Sequence, residues 1–271
     1  MSTSQSGSQG NGKTTPVEVS YPDAGDLHIR IAEGACRLKV SPGKGDAWIS
    51  GAQHDPSGVR PLYVSREGGA VTLTEQPNAS YVGDWFRAGH IFDVPTIDLA
   101  FGTAKPFRLT VEIGASENQL DLGGVPLSRL ALRHGAGKTA VDFSAPNPQP
   151  MTLMEIGAGA GSTELRSLAN AHFAELLIEG GMAAFTLDFG GTLQQDAHAR
   201  ITAALSSVTI AVPATTAARI ATESPLGHVE SGEGFTVKEG AFWTPAALEG
   251  RTPLLTISAS VTLGSLTLRA T

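Results

Sequence analysis

The chain has 271 residues, a formal net charge of −7 and one cysteine, and 17% of its residues are charged against ~25% in an average globular domain. This acidic balance argues against the clustered basic face that nucleic acids require, and it disfavours electrostatic binding to an anionic membrane surface. No run of ~18 apolar residues and no leader-like apolar segment occurs, and Cys36 has no second cysteine to pair with. These features predict a cytoplasmic protein that does not insert into a membrane.

The N-terminal residues 1–15 are almost entirely Ser, Thr, Gln, Gly and Asn. Such a segment buries too little apolar area to offset the entropy of ordering, which predicts a disordered tail. From Val17 onward, short segments alternate apolar and polar residues with period two, as half-buried strands do. They are LHIRI (27–31), CRLKV (36–40), AVTLT (70–74), FRLTVEI (107–113), FTLDF (185–189) and VTIAV (208–212). The pattern predicts an all-β chain with an N-terminal β region over 16–100 and a repeat-bearing region over 101–271.

Aromatic residues concentrate in the segment YVGDWFRAGHIFDVP (81–95) of a chain that is otherwise poor in them. The segment holds Tyr81, Trp85, Phe86 and Phe92, and aromatics beside an arginine are typical of interface anchors. A second interpretation is a cap whose aromatics close one end of the core. The segment AFWTPAAL (241–248), with Trp243, presents the same choice. We favour the cap for both segments, and the two roles are compatible.

The middle of the chain contains an internal repeat. Four glycines at nearly regular intervals each follow an apolar strand and precede a small-residue turn and a second strand: Gly114, Gly135, Gly157 and Gly181. The eighth residue after each glycine is large and apolar, namely Leu122, Phe143, Leu165 and Phe189. The seventh is always an acid, namely Asp121, Asp142, Glu164 and Asp188. A weaker fifth copy covers 199–213.

A period of about 22 residues with two short strands per copy is the size of one coil of a β-solenoid. A single coil cannot bury its own apolar face, whereas stacked coils form a continuous core. Equivalent turns then lie only ~4.8 Å apart, which explains their small residues. A β-sandwich does not predict copies in register. We therefore predict a right-handed, single-stranded β-solenoid.

The tract ENQLDLGGVPLSRLALRHGAGKTAVDF, followed by MEIGAGAGSTEL and LDFGGTL, resembles the bacterial toast-rack family of β-solenoid domains. That family includes domains labelled as candidate adhesins and the C-terminal domain of Lia-type cell-envelope stress proteins. The resemblance is strongest over 107–235 and extends to 253–270. It implies a right-handed single-stranded solenoid that serves as a scaffold or sensor, often near the bacterial envelope. It implies no catalytic residues.

Residues 7–14, GSQGNGKT, match the string of a phosphate-binding P-loop. A P-loop needs a buried strand before it and a helix after it, so that amides at the helix N-terminus point at the phosphate. This string follows a Ser/Gly-rich tail and precedes TPVEV, so we expect no nucleotide site. The similar HGAGKTA (134–140) lacks the first glycine of the pattern and lies in a repeat turn.

The repeated acids Asp121, Asp142, Glu164 and Asp188 predict a ladder of one carboxylate per coil. Such a ladder could bind a cation or a partner, since divalent ions favour clustered carboxylates. The alternative is that these are solvent-facing positions of alternating strands, and we favour it. Seven scattered histidines show no metal-ligand spacing, so we expect no metal site and no cofactor.

These observations predict a non-enzymatic scaffold or protein-interaction module that binds a protein partner or associates with itself. Two alternatives remain at this point. The first is a solenoid that polymerises end to end through its terminal coils. The second is a carbohydrate-acting or surface-binding β-helix protein. The aromatic residues and Trp243 are the candidate interface residues.

Overall fold

Seven long strands form the centre of the computed structural model, which describes residues 12–58, 60–75 and 94–271. Each has 15 or 16 residues: β2 (His28–Pro42), β7 (Phe107–Asp121), β8 (Leu127–Asp142), β9 (Met151–Arg166), β10 (Phe173–Asp188), β11 (Ala197–Val212) and β16 (Leu255–Ala270). They lie side by side in this order, and all neighbours are parallel. The all-β prediction is confirmed.

Nine short strands cover the two ends of this stack. They are β1 (Lys13–Ser20), β3 (Ala47–Asp55), β4 (Leu62–Glu67), β5 (Ala70–Glu75), β6 (Thr96–Phe101), β12 (Ala218–Glu223), β13 (His228–Ser231), β14 (Thr236–Lys238) and β15 (Ala241–Trp243). At one end, β5 pairs with the first half of β2 and β6 with its second half. At the other end, β12 and β13 divide β16 in the same way. The short strands complete one long, mixed, largely parallel sheet of 16 strands.

Helical structure in the described residues is limited to two single turns, a 3-10 helix at Leu168–Ala171 and α1 at Pro245–Leu248. Thr244 caps α1, and its hydroxyl also accepts a hydrogen bond from the amide of Ala218 in β12 at 2.9 Å. The segment 241–248 thus folds back on β12. The described residues contain no helix long and apolar enough to cross a membrane.

Each long strand bends in its middle, where the inward–outward alternation is interrupted. In β7, Ile113 and Asn118 are buried, whereas the four residues between them are not. A strand that alternates strictly would bury every second residue, so this interruption marks the outside of a bend. The inward residues on both sides of the bend form unbroken apolar columns. One column consists of Val40, Leu120, Val141, Leu165, Leu187, Ile210 and Leu268, each at most 4% exposed.

A ladder of glycines lines the bend, and it corrects the predicted repeat. Gly135 aligns with Gly159 and not with Gly157, because His134 pairs with Ala158 and Ala136 with Ala160. The segment between β8 and β9 is longer than that between β7 and β8, so the copies are not evenly spaced. This register places Leu165 beside Val141 in the apolar column, two positions away from the predicted alignment with Phe143. The register also reveals β2, with Gly34, as a further copy. The sequence pattern did not indicate this copy, because Gly34 precedes Gly114 by several times the repeat period.

The strands approach one another closely at this ladder. A Cβ atom on Gly135 would lie 2.5 Å from the carbonyl oxygen of Gly114, and the same contact recurs along the ladder. Two residues later, Gly137 has φ of +122° and its Cβ would lie 1.9 Å from the carbonyl oxygen of Ser116. The backbone of the neighbouring strand cannot move away without losing its hydrogen bonds, so only glycine fits at these positions.

The P-loop string does not form a P-loop where the structure describes it. Lys13 and Thr14 lie in β1, which pairs antiparallel with β3, so a strand follows where a helix would be needed. Residues 13–15 of the predicted tail are therefore part of a strand. The string HGAGKTA lies at the bend of β8, where Thr139 is buried and accepts a hydrogen bond from the Asn118 amide at 2.9 Å.

Replacing Gly137 by alanine should lower the free energy of unfolding by about 2–4 kcal/mol, because the new Cβ meets a backbone carbonyl at a strained φ. Gly45→Ala is the matched control, since a Cβ there has nothing within 4 Å. Urea unfolding of both variants measures the difference. Equal stabilities would contradict the close-contact role of the glycine.

Candidate functional site

One outer face of the stack, beyond the bend, contains an open groove of about 760 Å³. Outward-facing side chains of β2, β6, β7, β8 and β9 line it. The charged ones are Lys39, Asp98, Asp121, Asp142, Glu164 and Arg166. They meet because their strands are in register, with Lys39 next to both Asp98 and Gln119. A parallel stack thus converts outward positions of distant sequence segments into one continuous charged surface.

The acids of this face do not form the predicted single ladder. Asp121 aligns with Asp142, but the next position is occupied by Arg166. Glu164 lies two residues earlier, beside Ala140, and accepts a hydrogen bond from Arg166 at 2.8 Å. The prediction of one carboxylate per coil is therefore wrong for Glu164, because it depended on the shifted glycine anchor. Among the described residues, no group of three or more His, Cys, Asp or Glu side chains is placed to hold a metal ion.

The remaining acids of the column stabilise turns. The Asp121 carboxylate accepts hydrogen bonds from the amide of Gly123 at 3.0 Å and from the hydroxyl of Ser144 at 2.7 Å. Asp188 accepts one from the amide of Gly190 at 2.9 Å. These are Asx turns, in which a carboxylate replaces a backbone acceptor two residues before the amide. The bond from Ser144 also joins adjacent repeats. The recurrence of these acids in the sequence therefore has a structural cause.

The opposite outer face, before the bend, is richer in arginine and has a smaller depression of about 290 Å³. Ion pairs cross it, including one between the neighbouring strands β8 and β9 and one from β7 to the turn before β2. Arg129 lies 2.7 Å from Glu155 and Arg108 lies 2.7 Å from Asp26. All four side chains are partly or largely exposed, so each pair contributes at most about 1 kcal/mol. This face has its charges largely matched within the chain.

A buried polar cluster lies at the N-terminal end of the stack. Arg60 and Glu75 form a bidentate ion pair with bonds of 2.6 and 2.8 Å, and Glu33 and Cys36 lie near it. Burial, reinforced by the charge of Glu75, raises the pKa of Glu33 to about 8, although Arg60 opposes the shift. Burial also raises the pKa of the Cys36 thiol to about 12. The thiol is therefore not an activated nucleophile.

The predicted aromatic interface lies mostly outside the described residues, which include none of Tyr81, Trp85, Phe86 and Phe92. Trp243 is in β15 and is half-buried. The Arg219 guanidinium and the Lys238 ammonium lie 5.8 and 5.7 Å from its ring centroid, and its indole N–H donates to the Lys238 carbonyl at 3.1 Å. Cation–π contacts of this kind fix the ring against its own chain.

The described strands define an all-β protein with one long, largely parallel sheet and a charged groove on one outer face. The family model described as the N-terminal domain of toast_rack (DUF2154) matches residues 6–166. The chain belongs to this family, which confirms the resemblance. The match includes the whole N-terminal β region, 16–100, and ends with β9. None of the curated proteins compared with the chain matches it.

A solved structure shares the fold, and two others are similar to a lesser degree. A candidate cell adhesion protein from Clostridium sporogenes is 14% identical, with 96% of this chain and 100% of that chain covered and a TM-score of 0.54. A candidate adhesin from Bacteroides fragilis is 9% identical, with coverage of 95% and 97% and a TM-score of 0.40. A candidate lipid binding protein from Parabacteroides distasonis is 12% identical, with coverage of 94% and 97% and a TM-score of 0.42. At these identities the likeness concerns the fold alone.

Replacing Asp121 by alanine should lower the free energy of unfolding by about 1–2 kcal/mol, because two hydrogen bonds to its carboxylate are lost. Asp46→Ala, at an exposed acid, is the control. Thermal and urea unfolding measure both. If the two variants are equally stable, Asp121 does not stabilise the turn. If calcium stabilises the wild type but not Asp121→Ala, Asp121 belongs to a cation site instead.

The contribution of Glu33 to stability should fall as the pH rises from about 5 through about 8, against a smaller opposite contribution from His28 and His134, whose pKa values burial lowers. The raised pKa of Glu33 means that the folded state binds more protons than the unfolded state in this window, so each step up in pH favours unfolding. Between pH 5 and 7 the loss is on the order of 2 kcal/mol. Glu33→Gln should remove this slope, whereas Glu117→Gln, at an exposed glutamate, should keep it. Urea unfolding at several pH values distinguishes them; identical slopes in all three proteins would refute a buried, protonated Glu33.

Proposed function

We propose that this protein is a non-enzymatic scaffold that binds a protein partner through the charged groove of β2 and β6–β9. The proposal includes a right-handed, single-stranded β-solenoid in which each long strand with its connections is one coil. The observation that carries it is the groove itself, in which outward side chains of five strands form one open surface. Enzyme pockets usually enclose most of their ligand, whereas an open face of this kind suits an extended protein surface.

The charge pattern supports a polar partner. Lys39 and Arg166 lie among four acids, and Arg166 is already engaged by Glu164. The face therefore has an excess of negative charge, which favours a partner with complementary basic groups. Adhesion is the class of role named for the solved structure with a TM-score of 0.54, and we extend it to this chain as part of the proposal. Adhesion requires a place at the cell surface, whereas a partner-binding scaffold can also act in the cytoplasm. Cell fractionation distinguishes the adhesion role from the cytoplasmic location that the sequence predicts.

The ends of the stack support a scaffold over an end-to-end polymer. The terminal long strands β2 and β16 do not present their edges, because short strands pair with both halves of each. The strands that pair on one side only are β1, which contains Pro16, the six-residue β4, the four-residue β13 and the three-residue β14. Short edge strands and proline are devices that block pairing with another chain.

Affinity capture from a native lysate tests the groove. Asp98→Lys reverses a charge in the groove and should reduce recovery of the partner at least tenfold. Glu175→Lys makes the same change at an exposed position of β10 on the opposite face and should leave recovery unchanged. Equal recovery by both variants would contradict the assignment. Loss of the captured complex on adding soluble oligosaccharide would instead favour the carbohydrate-binding alternative.

A further inference from the structure

One register position on the outside of the bend carries an uncharged residue in every long strand. We call this column the corner strip; in sheet order it contains Ala35, Ala115, Ala136, Ala160, Met182, Leu205, Leu263 and Leu226. Met182 and Leu205 occupy equivalent positions, because the flanking pairs Gly180–Ala203 and Ala184–Ser207 are separated by the same number of residues along the chain. Leu226 continues the column beyond β16, since its amide donates to the Thr262 carbonyl at 3.2 Å and the pairing of β13 starts two residues later.

The second half of the corner strip exposes large apolar side chains. Met182 is 65% exposed, Leu205 55%, Leu263 44% and Leu226 72%. No Asp, Glu, Lys or Arg lies within two residues of any of them along the chain. Scattered exposed apolar residues are ordinary, but a contiguous column of them on adjacent strands is typical of an interaction surface.

The order of sizes along the corner strip identifies what covers it. Four alanines occupy β2, β7, β8 and β9, and four large residues occupy β10, β11, β16 and the turn before β13. The boundary lies midway, between β9 and β10. A two-fold axis through this point, in the plane of the contact and perpendicular to the strip, places every alanine of one copy against a large residue of the other. Such self-complementarity is the geometry of an isologous interface.

We propose that a second copy of this chain docks antiparallel on the corner strip. Ala160 then faces Met182 of the second copy, Ala136 faces Leu205, and Ala115 faces Leu263. The shallow alanine half receives the protruding half, so the two convex bends can pack without voids. A parallel arrangement would place leucine against leucine and leave a gap between the alanines.

The charges beside the corner strip agree with the antiparallel arrangement. Two residues after the strip, the alanine half carries Arg37, Glu117 and Lys138. The corresponding positions in the other half, on β11 and β16, are Ser207 and Ser265. The two-fold axis places Lys138 beside Ser207, Glu117 beside Ser265 and Arg37 beside His228 of the second copy, so no two Asp, Glu, Lys or Arg side chains of like sign meet.

The size of the corner strip predicts a reversible dimer. Eight adjacent strands span about 34 Å, and the strip is only a few residues wide. Stable interfaces bury about 800 Å² on each partner, which a narrow strip does not reach alone. We therefore expect the dimer fraction to rise with protein concentration. This interface is separate from the groove, so its failure and that of the proposed function are distinguishable.

Sedimentation velocity and light scattering over a concentration series test the dimer. The mass should rise from 28.0 kDa to twice that value and then stop. Leu205→Asp should keep the protein at 28.0 kDa, whereas Tyr63→Asp, at a 52% exposed residue outside the strip, should dimerise as the wild type does. A constant 28.0 kDa for the wild type, or a mass that grows beyond the dimer, would overturn the proposal.

Disulfide trapping tests the register independently of mass. Cys36 is buried, so added cysteines report alone. A mixture of Ala136→Cys and Leu205→Cys proteins should form a mixed disulfide dimer under mild oxidation. Ala136→Cys by itself should not, because its two copies lie three strands, about 14 Å, apart across the axis, beyond disulfide reach. Rapid disulfide formation by Ala136→Cys alone, or none in the mixture, refutes the antiparallel contact.

Discussion

The structure depends on one contact, the approach of each bent strand from β7 to β10 to the carbonyl groups of its preceding neighbour in the sheet. At the glycine ladder, a Cβ atom would lie 2.4–2.7 Å from a carbonyl oxygen of the neighbouring strand. Glycine there lets successive strands keep their parallel hydrogen bonds through the bend. A slip of one residue would turn every inward side chain outward, so the ladder and the apolar columns on both sides of it determine a single register.

That register produces the surface features. It places Arg166 between Asp142 and Asp188, which breaks up the column of acids, and it brings Asp98 beside Lys39 although the two lie far apart in the sequence. Recurring acids such as Asp121 both stabilise turns and line the groove, whereas the other charged residues of the groove, such as Lys39 and Asp98, follow no regular spacing. The recurrence of acids along the chain therefore indicated a structural role, whereas the groove is formed by the stacking of parallel strands.

The two ends of the stack are covered, whereas the bend leaves apolar side chains exposed. Short strands cover β2 and β16, which protects the open backbone edges of the sheet. The bend keeps exposed apolar side chains in its second half and alanines in its first. Membership of the toast-rack family is consistent with a fold that offers surfaces, and the groove and the corner strip are two separate surfaces of this kind.

The sequence by itself determined the all-β class, the stacking of repeats and the family, because period-two alternation and recurring glycines are local properties of the chain. It could not determine the alignment of the third copy, since the GAGAG of β9 offers several glycines and connection lengths vary. It also missed β2 as a copy and the corner strip, whose members lie at widely separated and unequal intervals along the chain. Only the tertiary structure decided the alignment and the corner strip, because parallel hydrogen bonding determines which residues become neighbours. The register of these bonds is the one that buries the apolar columns of all strands together.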